Sequence, residues 1–122
     1  MSFNFVVTVT SFAGLILGVG WMFAGSRLFQ RWGIDAHVDG LLVGRRLGAV
    51  YLGVSVILFM GRTAPPSDLR DAISIGVLFS MVVLAGLGLF EYMARRANSL
   101  ILVSVALEVF LALGFVWVLL AA

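Results

Sequence analysis

Cysteine and lysine are both absent from this 122-residue chain, which has only two prolines and one histidine. Without cysteine there can be no disulfide, thiolate metal centre or cysteine nucleophile. Charge is scarce as well, at 11% of residues, whereas soluble domains carry about 25%. That shortage leaves too little polar surface for a fold in water. The eight basic residues are all arginine, and the net charge of +2 is too small to suggest a nucleic-acid partner. The arginines fall in short loops and near helix ends, where lipid phosphates can meet them.

Apolar length is what the chain has in excess. It is 62% hydrophobic with a mean hydropathy of +1.16. The apolar residues gather into four runs, each near the roughly 20 residues needed to cross a hydrocarbon core. The sequence therefore predicts an all-α integral membrane four-helix bundle made of two antiparallel helical hairpins. Residues 1–122 form a single membrane domain, with helices near 5–24, 40–60, 68–90 and 99–120. Met1-Ser2-Phe3-Asn4 lacks the positive opening of a signal peptide, so the first run reads as a span. Asp39 is the expected cap of the second helix. Gly61, Arg62, Pro65 and Pro66 break the chain. Ser67 caps the third helix, with Asp68 and Asp71 near the positive end of its dipole. Asn98 or Ser99 caps the fourth.

Arginine placement orients the bundle. Arg27, Arg31, Arg45, Arg46, Arg95 and Arg96 fall on one side, against Arg62 and Arg70 on the other. The positive-inside rule then puts loops 1 and 3 in the cytoplasm and both termini outside, in a cell inner (plasma) membrane. Trp32, Tyr92 and Trp117 fall where interfacial anchors belong. Arg45-Arg46 and Arg95-Arg96, followed by Val54-Ser55-Val56 and Val103-Ser104-Val105, outline a faint parallel repeat of the two hairpins.

Inside lipid, helices associate through close backbone approach and interhelical hydrogen bonds. Small residues recur at four-residue spacing as Gly14 and Gly18, as Gly40, Gly44 and Gly48, and as Ala72, Gly76 and Ser80. These are the expected packing faces. The second helix's glycine ridge suits a neighbour in the same chain or a second copy in a homodimer equally well.

Glu108 breaks the pattern. It lies about 12 Å into the fourth span, at 1.5 Å per residue, close to the bilayer midplane. A carboxylate there costs at least about 2.5 kcal/mol and normally faces the protein interior with a partner. Ser104 and Ala112, one turn to either side, leave room beside it. Gly44, Gly48, Tyr51 and Ser55 share one stripe of the second helix, with Arg45 on its flank and Arg46 nearly opposite, snorkelling to headgroups. The candidate ligand or ion site is Glu108, Arg45, Tyr51, Ser55 and Ser104. It reads equally as an ion pair that only fixes helix arrangement; a Glu that is protonated and incidental is the lesser alternative. Asp35, His37 and Asp39 alternate in a loop and read as a solvated segment. No catalytic motif, cofactor site or metal site is identified, and no enzyme activity is expected.

The glycine-rich first span ending Phe23-Ala24-Gly25, and the basic start of the second followed by Leu47-Gly48-Ala49-Val50-Tyr51-Leu52-Gly53, resemble the DoxX-like small four-helix proteins of bacterial inner membranes. The resemblance implies a four-helix bundle and at most a ligand held between helices. The chain also looks like the small multidrug transporters in size and in owning one membrane glutamate. In those the glutamate is in the first helix, whereas Glu108 is in the fourth. Three classes of function follow. The leading one is a binding protein for a small hydrophobic or lipid-like molecule. The others are a homodimeric transporter or ion channel using Glu108, and an accessory subunit of a membrane complex.

Overall fold

The computed structural model describes residues 2–121, in which five helices succeed one another: α1 (Phe3–Phe23), α2 (Gly25–Arg31), α3 (Val38–Met60), α4 (Asp68–Met93) and α5 (Ile101–Ala121). All but α2 are long and apolar enough to cross a membrane, and the chain is a multi-pass all-α membrane protein. The spans lie within a few residues of the sequence expectation. The short α2 was not expected. It begins where Ala24 leaves helical geometry while its N–H still reaches Gly20 O at 2.7 Å. Its Phe29 then packs edge-on against Trp21 of α1, with ring centroids 5.3 Å apart, and Trp32 joins the same cluster.

Caps follow local chemistry. Ser67 accepts from Arg70 N at the start of α4, as its sequence suggests. Asp39 does not cap α3. The cap position is His37, which makes no side-chain bond, and Asp39 sits inside the first turn where it still complements the helix dipole. Asn98 Oδ1 accepts from Leu100 N ahead of α5.

The spans pair as α1 with α3 and as α4 with α5. Glycine sets the first pairing. A Cβ on Gly48 would stand 2.6 Å from Gly18 O, and one on Gly18 would stand 2.9 Å from Gly48 O. Gly14 faces Ser55, Gly44 faces Trp21 and Gly40 lies against Phe29 of α2. The ridge of α3 is thus filled from within the chain by α1 and α2. In the second pairing Gly88 meets Val105, and Ala85 is buried beside it in the helix. The expected face of Ala72, Gly76 and Ser80 does not pack a helix: Gly76 has no neighbour within 4 Å of a Cβ position, and Ser80 is exposed.

Two fastenings join the pairs. At the end holding residue 2 and the α3–α4 loop, Val6, Val7, Leu58, Phe115 and Val118 form a buried apolar core with Ile73 and Val77 against it. Arg70 lies over the Phe3 ring there, 3.8 Å from its centroid, and donates to Ala64 O. At the opposite end Asn98 donates from its backbone to Trp32 O at 2.8 Å and from its side chain to Arg31 O at 3.0 Å. Between these fastenings α3 and α4 stand apart, with at most a glancing contact.

Candidate functional site

The gap between the pairs is a cavity of about 680 Å³ to which all four spans contribute. Its walls are mostly aliphatic, with Leu17 from α1, Val50 and Val54 from α3, Val77 and Leu84 from α4, and Leu107 from α5. Gly76 and Ser80, expected at a helix contact, instead line this space and make it wider.

Four of the five residues expected at the site come together here: Glu108, Tyr51, Ser55 and Ser104 all line the cavity. Ser104 Oγ donates to Glu108 Oε1 at 2.9 Å across one turn of α5. The other carboxyl oxygen, Oε2, is sealed from solvent and has no hydrogen-bond partner, alone in this among buried side-chain polar atoms of the described residues. Burying such an atom unpaired costs about 1–3 kcal/mol or more, so it needs either a functional reason or an absent partner.

Arg45 is the exception. It is exposed, lies outside the cavity and forms no ion pair with Glu108. The ion pair found among the described residues is Arg96 with Glu91, at 2.6 Å. The geometry explains the correction. The Gly44–Gly48–Ser55 face is turned inward as expected, but towards α1, while α3 has no substantial contact with α5. A residue on the flank of that face, about two turns inside the arginine-rich end, is therefore directed away from Glu108.

The hydroxyls of the wall are mostly spoken for. Thr10 donates to Val6 O at 2.7 Å, Ser55 to Tyr51 O at 2.7 Å and Ser80 to Gly76 O at 3.0 Å. Each spends its proton on its own helix backbone and has only acceptor lone pairs left. Sequence reasoning missed Thr10 and Ser80 as lining residues. A hydroxyl in an apolar helix carries no signal of whether it faces lipid or a cavity.

A second concavity, of about 480 Å³, lies at the arginine-rich end around Gly33, Tyr92 and the segment from Met93 to Asn98. Arg95 adopts φ 61° there, and the Arg96 guanidinium is already engaged by both oxygens of Glu91. It is a groove between loops, with no unpaired buried group to point to a ligand. The membrane cavity is the better-built site. No protein-family model, curated protein or solved structure matches the chain.

Proposed function

We propose that the chain is a non-enzymatic inner-membrane protein that binds a small hydrophobic or lipid-like molecule between its four spans, with Glu108 and Tyr51 holding the molecule's polar end. The observation that carries this reading is Glu108 Oε2, buried without a partner on the wall of an apolar cavity. A ligand's polar group would relieve that cost, and its tail would cover the aliphatic wall. The volume falls within the roughly 300–1,000 Å³ usual for small-molecule sites. Separation of α3 from α4 gives such a molecule a lateral route from the bilayer. The arginine bias supports placing α2 and the α4–α5 loop in the cytoplasm and both termini outside.

The test is native mass spectrometry of the protein released from lipid nanodiscs. The wild type is expected to retain a defined extra mass. Glu108→Gln is expected to reduce that retention by about tenfold or more, the equivalent of one charge-assisted hydrogen bond. Retention unchanged in Glu108→Gln overturns the site.

A further inference from the structure

We propose that the cavity selects a long-chain amphiphile whose head is an ammonium group, a cation that donates hydrogen bonds. The inference rests on the binding reading above and deepens it by assigning the chemistry of the head. Two observations point there. The first is the accounting of protons on the wall. Thr10, Ser55 and Ser80 donate to carbonyls of their own helices, and Ser104 donates to Glu108. Tyr51 is the remaining hydroxyl on the wall, with no hydrogen bond among the described residues. A head that only accepts hydrogen bonds meets one hydroxyl donor. A head that donates finds its acceptor in the Glu108 carboxylate, which holds the one buried side-chain oxygen without a partner among the described residues.

The second observation is charge. Glu108 and Tyr51 are the titratable residues of the lining; α1 and α4 contribute none, and none of the eight arginines reaches it. A carboxylate in this wall has no counter-charge from the protein, and a bound cation supplies it. Between a neutral donor such as an alcohol and an ammonium, the ammonium makes the stronger, charge-assisted bond. Oε2 is sealed as the side chain stands, so the head engages the carboxylate as Glu108 turns about its own torsions.

Three probes with the same dodecyl chain separate the possibilities: dodecylamine, an ammonium at about pH 7, dodecanol, and the acceptor-only methyl dodecanoate. Each is added to the full chain in phosphatidylcholine nanodiscs, and retention is read by native mass spectrometry. The expected result is dodecylamine retained about tenfold or more over the other two, with the preference lost in Glu108→Gln. Gly76→Leu, which projects into the cavity from an unobstructed position, is expected to reduce retention of dodecylamine as well. Equal retention of all three probes overturns the ammonium assignment and leaves the binding reading standing. Preference for the alcohol or ester also overturns it, as does an amine preference that survives Glu108→Gln. Amine retention unchanged by Gly76→Leu places binding elsewhere and removes the proposal. Retention of none of the probes overturns both readings.

Discussion

At the scale of single residues, glycines of one composition do opposite things. A Cβ on Gly48 would meet the Gly18 carbonyl oxygen at 2.6 Å and Met22 Cγ at 2.8 Å. One of these is backbone and cannot swing aside. Gly48→Ala is therefore expected to destabilise the α1–α3 pair by about 1–3 kcal/mol. Gly53, less than two turns further along α3, has nothing within 4 Å. Gly53→Ala is expected to be neutral or to stabilise by up to about 1 kcal/mol, the helix penalty of glycine. Thermal unfolding of both variants in one detergent checks the contrast, and equal effects would contradict the α1–α3 geometry. Glu108 was legible in the sequence because a charge inside an apolar run stands out against its surroundings. Its lack of a charged partner was not, because that depends on which helix faces α5.

At the scale of elements, the spans were readable because the apolar runs, the Pro65-Pro66 break and the Ser67 cap act locally. The short α2 was not. Seven residues give too few turns to show a periodic face, and the helix is held by tertiary contact with Trp21. The small-residue stripes showed which helix faces permit close approach but not which helix approaches. That is why Gly44 and Gly48 meet α1, why Gly76 and Ser80 open a cavity, and why Arg45 is left outside the site. Asn98 shows the same limit from the other side. The sequence marks it as a local cap, yet its backbone also grips Trp32 O and its side chain Arg31 O, the latter across 67 residues of sequence. Asn98→Ala removes the side-chain bonds to Arg31 O and from Leu100 N. It is expected to cost about 1–2 kcal/mol, from two hydrogen bonds of typical net worth. Hydrogen exchange should speed up at Leu100 N, while amides within α1 beside the Val6–Phe115 core stay slow. Uniform acceleration across all spans would mean that the latch is no separate fastening.

At the scale of the whole molecule, the two helix pairs are joined at both ends and apart in the middle, so the cavity follows from how the bundle is fastened. The end with the Asn98 latch also carries the larger share of arginine. Arg27, Arg31, Arg95 and Arg96 lie in or beside its loops, and Arg45 and Arg46 within the first turns of α3. The other end has Arg62 and Arg70, and both are partly occupied: Arg62 stacks on Phe59 and donates to its carbonyl, and Arg70 stacks on Phe3. At the latch end Arg96 is paired with Glu91, so five unpaired arginines there stand against two at the other end. The positive-inside rule acts on that charge during insertion, which favours a cytoplasmic latch end. Because the chain has no cysteine, single thiols report orientation without a background. Asp35→Cys, in the exposed segment between α2 and α3, is expected to be shielded from a membrane-impermeant maleimide in intact cells and labelled after lysis. Thr63→Cys, exposed between α3 and α4, is expected to react in intact cells. The reversed pattern would invert the orientation and leave the cavity and its Glu108 site where they are, since these depend on helix pairing alone. Labelling of both positions in intact cells would be incompatible with four complete spans.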